Sequence, residues 1–297
     1  MLRFERILCP LDFSDFSAKA YDYARSLARH YQAKLFLEHV LQPLFSAYPL
    51  YAYPDIANNL YQDLRAHAEQ QLREFLKGRA ANGLELESVV CEGAVTDSIL
   101  SFAEKHAVDL IVMGTHGRHG FDHLLLGSVT EKVLRKARCP VLAVPKPSHN
   151  FVAPENGADP VHLRKILLAT DFSRHAERAL DYALSLAQEY EAELTLLHVL
   201  EEIPPSWDLS TATADVVSRL EKPIPAEARS WCTLKSRLGV GRPYQEIVRF
   251  ALETETDLVV LGVRGRNALD LALFGSTTHR VIHQAPCPVL AVHIYGA

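Results

Sequence analysis

Apolar residues follow two alternating rhythms along the chain. Short β-rich runs, "RILCPL", "KLFLEHV", "LELESVV", "DLIVMG" and "PVLAVP", are bounded by polar or turn-forming residues, the mark of strands buried in a sheet. Between the first two runs the apolar positions fall three and four apart. Ala20, Tyr23, Ala24, Leu27, Ala28 and Tyr31 form one buried stripe, the signature of an amphipathic helix. The same spacing predicts helices near 16–31, 56–80, 96–106 and 128–137. Strand and helix alternate with connections long enough for right-handed crossovers. The expected fold is therefore α/β, a parallel sheet sandwiched by helices.

The pattern is written twice. "LCPLDFS" (8–14) returns as "LLATDFS" (167–173), an offset of 159 (173 − 14). Under it the six stripe residues map onto Ala179, Tyr182, Ala183, Leu186, Ala187 and Tyr190, all unchanged. Further on, "CPVLAV" at 139–144 returns at 287–292, an offset of 148 (287 − 139), so the second copy has lost 11 residues (159 − 148) between Val199 and Gly241. Its strands read "KILLAT", "ELTLLHV", "WCTLKSRL", "DLVVLG" and "PVLAVH". The Pro-, Asn- and Gly-rich stretch between the copies reads as a linker. The boundaries are then 1–146 for the first domain, 147–162 for the linker and 163–297 for the second. Each copy ends in a strand that opens on proline, a residue suited to a sheet edge. Pairing Val141–Val144 with Val289–Val292 would cover both edges.

Composition narrows the class. The chain has 297 residues, 48% of them apolar, with a mean hydropathy of -0.02 and a net charge of -5. That suits a soluble globular protein with no field to recruit nucleic acid or a membrane surface. No apolar run approaches the roughly 20 residues of a spanning helix. The five cysteines are scattered without a C-x-x-C pair, which suits free thiols in a reducing compartment, so a cytoplasmic location is expected.

The chemistry is carried by "GTHGRHGFDHLLLGS" (114–128) and "GVRGRNALDLALFGS" (262–276). Both keep glycine, two residues, glycine, nine residues, then Gly-Ser. In open parallel sheets ligands sit beyond the carboxyl ends of the strands, where the strand order reverses. Asp12 and Asp171 end the first strand of each copy, Val40 and Val199 the second, Gly114 and Gly262 the fourth. Gly114 and Gly117 allow close approach to the main chain. Gly127 and Ser128 open a helix, whose free N–H groups, dipole and the hydroxyls of Ser128 and Thr130 make an anion seat. Ser276, Thr277 and Thr278 offer the same hydroxyls in the second copy. Such a rim suits a nucleotide, with the sugar over the strand end and phosphates at the helix start. The plainer alternative is that the glycines serve the turn and Asp12 caps the next helix with Ser14. Against it, the spacing survives while His116 becomes Arg264 and His123 becomes Leu271.

With G-2x-G-9x-G-(S/T) complete in both copies, nearly the whole chain resembles the universal stress protein family, and within it the ATP-binding members. The resemblance implies a Rossmann-like five-stranded sheet of order 3-2-1-4-5 in each domain, of the adenine nucleotide alpha hydrolase type. It implies ATP, with Mg2+ or Mn2+, as the cofactor. Adenine would be recognised by Asp12 and the main chain at Val40, and by Asp171 and Val199 in the second copy. Pro10, Met113 and Gly114 would line the ribose side, and His116, Gly117, Gly127, Ser128, Val129 and Thr130 would surround the phosphates. The matching second set is Leu261, Gly262, Arg264, Gly265, Gly275, Ser276, Thr277 and Thr278. Ala169 stands where the first copy has Pro10, and Arg264 where it has His116. The implied role is a nucleotide-dependent regulator of a stress response that acts through contacts with an unidentified protein. Members of that family dimerise with their last strands antiparallel, so the resemblance also implies a pseudo-dimer within this one chain, joined through Val141–Val144 and Val289–Val292, with further association into a homodimer left open.

Two alternatives stay open. One is a slow ATPase or autophosphorylating enzyme, for which Asp12, Asp122, Asp171 and Asp270 are the available acids. No Walker lysine, H-x-G-H or S-G-G-x-D-S pattern is present, and no catalytic residue is assigned. The other is a nucleotide-independent module binding an apolar ligand or a protein through "PLFSAYPLYAYPDIANNLY" (43–61). His116, His119 and His123 lack a cysteine partner and have no counterparts in the second copy, so no metal site of the protein's own is expected.

Overall fold

In the computed structural model the described residues are 2–42, 54–79 (side chains from 59), 83–117, 126–145, 151–152, 161–203, 208–263 and 275–294. The first copy runs β1 (Arg6–Pro10), α1 (Asp15–Tyr31), β2 (Lys34–Leu41), α2 (Pro54–Leu76), β3 (Leu86–Glu92), α3 (Val95–Lys105), β4 (Leu110–Gly114), α4 (Ser128–Lys136) and β5 (Val141–Val144). The second runs β6 (Lys165–Ala169), α5 (Arg174–Glu189), β7 (Glu193–Leu200), α6 (Leu209–Glu221), α7 (Ala228–Trp231), β8 (Leu234–Val240), α8 (Pro243–Glu253), β9 (Leu258–Gly262), α9 (Ser276–Gln284) and β10 (Val289–Val292).

All ten strands share one sheet, in the order β3-β2-β1-β4-β5-β10-β9-β6-β7-β8. Each half has the expected 3-2-1-4-5 order, read outward from its own first strand. Within each half every strand pair is parallel. The halves join where β5 meets β10 antiparallel, with Leu142 opposite Leu290 and Ala143 opposite Val289. Strand alternation divides the core into two layers. Ile7, Cys9, Leu35 and Leu37 point to the layer covered by α1, α2, α5 and α6. Leu8, Phe36, Ile111 and Met113 point to the other, covered by α3, α4, α8 and α9.

Helix starts follow local chemistry. The Ser14 hydroxyl accepts from the Ser17 N–H at the head of α1, and Ser173 does the same for Ala176 at α5, each a side-chain N-cap. One expectation needs correcting. The strand read as "WCTLKSRL" starts at Leu234 and runs on to Val240, because Trp231 closes the short helix α7 and the Cys232 N–H bonds back to the Ala228 carbonyl. The second copy's shortening falls on its central helix: α6 has 13 residues where α2 has 23. The linker stretch is also partly packed. Phe151 is buried against the Tyr23 ring, 4.8 Å between centroids, and Val152 bridges Val161. All five cysteines are free; burial pushes the Cys139 and Cys287 thiols up to about 12. Among the described residues no helix is long and apolar enough to cross a membrane.

Candidate functional site

The candidate rim is built where β1 stops between its neighbours β2 and β4. Immediately after it the chain turns sharply. Phe13 has φ 62° and its counterpart Phe172 has φ 61°, left-handed conformations that bulky residues seldom adopt. The same clamp holds both. The Phe13 ring lies 4.6 Å from His39 and the Phe172 ring 4.5 Å from His198. His39 Nδ1 lies 2.7 Å from the Leu11 carbonyl oxygen and His198 Nδ1 2.7 Å from that of Thr170. A carbonyl only accepts, so in each histidine Nδ1 carries the proton. Asp12 Oδ1 accepts from the Ser14 N–H (3.0 Å) and hydroxyl (2.6 Å), and Asp171 Oδ1 accepts from the Ser173 N–H (3.0 Å). The caps are thus the serines; the aspartates brace them.

The glycines divide into two kinds. A Cβ on Gly114 would sit 2.8 Å from Phe16 Cβ and 2.9 Å from its carbonyl carbon and oxygen. On Gly262 it would sit 2.7 Å from the His175 Cβ and carbonyl carbon. These glycines let the first turn of α1 or α5 lie directly on the strand end, a packing need independent of any ligand. Gly117 differs: a Cβ there would meet the Asp12 Oδ2 at 2.7 Å, so the loop after β4 passes close over the aspartate carboxylate. Gly127 opens α4 with its N–H donating to the Thr115 carbonyl at 2.8 Å, and Gly275 repeats this toward Val263 at 3.2 Å. A Cβ on Gly127 would press on the Thr115 carbonyl oxygen at 3.1 Å.

The heads of α4 and α9, read from the sequence as anion seats, have no side-chain cap. The Thr130 hydroxyl donates to the Gly114 carbonyl (2.8 Å) and the Thr278 hydroxyl to that of Gly262 (3.0 Å). Their hydrogens therefore tie each helix head to a strand end. What α4 and α9 present outward are first-turn N–H groups with no intrahelical acceptor, beside the exposed Ser128 and Ser276 and the half-buried Val129 and Thr277. His116 approaches the α4 head through its own backbone, with Nδ1 2.9 Å from the Thr115 hydroxyl and its ring 5.1 Å from Phe16. His283 of the second half lies 6.1 Å from that ring. Arg264, Gly265, His119, Asp122, His123 and Asp270 lie outside the described residues, as do residues 43–53 of the aromatic stretch. Among the described residues no three acids, histidines or cysteines gather as a metal site would require.

Below the rim lies a row of side chains from β1, β2 and β4. Pro10 pairs in register with Glu38. Met113 is buried in the same layer, with half-buried Val40 beside it. The Leu11 N–H bonds to the Glu38 carbonyl, the last main-chain link from β1 to β2. Two residues on, Val40 presents its N–H and C=O to the same side, beyond the end of β1. The second half has Ala169, Leu261 and Val199 in these places. Sequence reasoning passed over Glu38, which is 0% exposed. The Ser98 hydroxyl donates to its Oε1 at 2.8 Å. Burial pushes its carboxyl above the ordinary value, against the pull of hydrogen bonds from Ser98 and Cys91. An acid inside the apolar run "KLFLEHV" was the available signal. The left-handed phenylalanines were also passed over, although "DFS" stands in both copies.

Comparison with known proteins agrees with the doubled fold. The model of the universal stress protein family matches residues 3–145 and again 162–293. A universal stress protein of Methanocaldococcus jannaschii is 34% identical over 145 residues, covering 48% of this chain and 84% of that protein. One from Mycolicibacterium smegmatis is 25% identical over 297 residues, covering 96% of both chains. The crystal structure of a universal stress protein from Archaeoglobus fulgidus superposes with a TM-score of 0.69 over 98% of this chain and 99% of that one, at 23% identity, a likeness of fold. With both halves matched almost end to end, the chain belongs to the universal stress protein family.

Proposed function

We propose that this chain binds an adenine nucleotide, ATP accompanied by Mg2+ or Mn2+, at its strand-end rims, and that occupancy regulates a stress response through contacts with a partner protein. The observation that carries the reading is the pairing, in both halves, of an outward-facing helix head with a braced aspartate. At α4 and α9 a glycine starts the helix against a strand end with no side-chain cap, which leaves first-turn main-chain N–H groups of the kind that bind phosphate. At β1 and β6 an aspartate sits where a base or sugar edge would arrive.

The residues fit the nucleotide through Asp12, the main chain at Val40, and the N–H groups of Ser128 and Val129; Asp171, Val199, Ser276 and Thr277 repeat the set. A divalent ion would arrive on the triphosphate and shield its charge. Binding would reposition the loop between Gly117 and Gly127 and with it the surface read by the partner. The reading treats residues 1–146 and 163–297 as two nucleotide-binding domains, and a cytoplasmic setting agrees with five free thiols.

Titration of the intact chain with ATP, beside Gly127→Val and Gly275→Val, tests this. Gly127 has φ -58° and ψ 134°, which valine tolerates, so the change acts by crowding the helix head. Each variant should lower affinity at its own site by about tenfold or more, and wild-type stoichiometry counts the working sites. Absence of ATP binding in the wild type, or equal binding in both folded variants, overturns the reading.

A further inference from the structure

We propose that Glu38 sets the base preference of the first half's site, favouring a base that presents an amino group over one that presents an oxo group at the same position. The inference rests on the nucleotide reading and goes beyond it in assigning base selectivity to a residue outside the rim. Side chains alternate along β2, so Phe36, Glu38 and Val40 share one face, and Phe36 and Val40 both pack in the layer beneath α3 and α4. Pro10 is the register partner of Glu38 on one side and Val89 on the other. Leu8 pairs with Ile111, which sets Pro10 beside Met113. Glu38 therefore belongs to the row of side chains on which the base would rest.

Once ionised, above the pH range in which burial holds its proton, the carboxyl group is an acceptor. Ser98 donates to Oε1, while the buried Oε2 has no hydrogen-bond partner. An acceptor held in a low-dielectric layer acts on what lies above it more strongly than one in water. It favours an N–H donor edge and opposes a carbonyl oxygen.

The second half serves as an internal control. Its corresponding residue is Leu197, which pairs with Ala169, itself the partner of Leu261. That floor is apolar. The nearby acid, Glu246, comes from α8 and is paired with Arg249 at 2.5 Å. A purely structural role for Glu38, tying α3 to β2 through Ser98, predicts a change in stability and no change in base preference.

The test is titration of the intact chain with ATP and with inosine triphosphate, in which an oxo group replaces the 6-amino group. Wild type, Glu38→Gln and Glu38→Leu are compared in a Gly275→Val background, so that the first site reports. The wild type should prefer ATP, and both variants should narrow the ATP-to-inosine-triphosphate ratio by roughly tenfold. Thermal unfolding of each variant identifies a folding failure; the near-isosteric Gln variant carries the test if Leu does not fold. An unchanged ratio in the folded Gln variant overturns the assignment while leaving nucleotide binding in place. If the wild type binds neither nucleotide, the nucleotide reading falls and the assignment falls with it.

Discussion

The two halves keep one frame and differ in what the frame holds. Phe13 and Phe172 turn the chain at φ 62° and 61°, and His39 and His198 clamp those turns at the same 2.7 Å. Thr130 and Thr278 tie the same helix heads to the same strand ends. Under that shared rim the floor changes from Pro10 and Glu38 to Ala169 and Leu197, and the covering helix shrinks from α2 to α6. Backbone clamps repeat because the turn has one workable geometry. Floor residues diverge because each packs against its own surroundings. The frame is thus common to both halves, and the floor is particular to each.

The largest expected effect comes from breaking the frame. Gly114→Ala and Gly262→Ala each drive a methyl group into the backbone of a facing helix, at 2.8–2.9 Å for Phe16 and 2.7–2.9 Å for His175. Neither backbone can rotate away, so overpacking by about 3 kcal/mol is expected for each. The slightly closer approach makes Gly262→Ala the worse of the two. Gly117→Ala meets only the end of the Asp12 side chain and should cost well under half as much. Chemical denaturation of the three variants checks the order; a Gly117 variant as unstable as the other two would show that the loop, rather than helix packing, fixes the first glycine.

Much of this frame could be read from the chain. The doubled stripe from Ala20 to Tyr31 and from Ala179 to Tyr190 located the same buried helix twice, and the alternation of strands and helices implied a parallel sheet, while the order of its strands followed from the family resemblance. The reason for Gly114 was less accessible. Its spacing to Gly117 and Gly127 suggested ligand approach, whereas the close neighbour is Phe16, a contact made only once α1 folds back on β4. Thr130 was legible as a hydroxyl at a helix head, but its choice of the Gly114 carbonyl depends on a strand end 16 residues earlier. Trp231 misled because an aromatic residue before "CTLKSRL" looks like strand, while the local chain closes one turn of helix. Side-chain partners and short helices depend on tertiary contacts that residue patterns do not encode.

A smaller effect sharpens the contrast between the floors. Burial raises the folded-state carboxyl of Glu38 above its ordinary value of 4.5. The folded protein then holds a proton that the unfolded chain releases, so the stability contribution is complete below the unfolded value and is lost as pH rises through the folded one. Glu38→Gln removes that titration. Measured as the difference in unfolding free energy between wild type and variant, the pH dependence should shrink across that window, with the variant losing less stability as pH rises. Asp109 is also raised by burial and is common to both proteins, so it cancels in the difference. Leu197→Gln in the second half introduces no titrating group and should leave the slope unchanged. A flat difference for Glu38→Gln would mean that the carboxyl is ionised at the same pH folded and unfolded.

The smallest effect lies at the seam. His30 and Glu189 occupy equivalent positions (189 − 30 = 159) in α1 and α5, and they meet each other across the halves with His30 Nε2 2.9 Å from Glu189 Oε1. A duplicated unit meeting its own copy would place like residues together here. Tyr31 and Tyr190 do so: the His30 ring lies 4.8 Å from the Tyr31 ring and 4.7 Å from the Tyr190 ring. The neighbouring positions have instead become base and acid. Both partners are roughly a quarter exposed, at 29% and 25%, so solvent screening limits the pair to about 0.5 kcal/mol. His30→Ala should therefore barely move the unfolding midpoint. His30→Glu should cost more, because it faces Glu189 with its own kind. Adding Glu189→His to that variant recreates the pair with its sides exchanged, and a double-mutant cycle reads the coupling. Recovery in the double variant would show that the seam needs complementarity but is indifferent to which half supplies each charge. No recovery would mean that surroundings particular to each half hold the two side chains, and that the divergence seen in the floors extends to the axis between them.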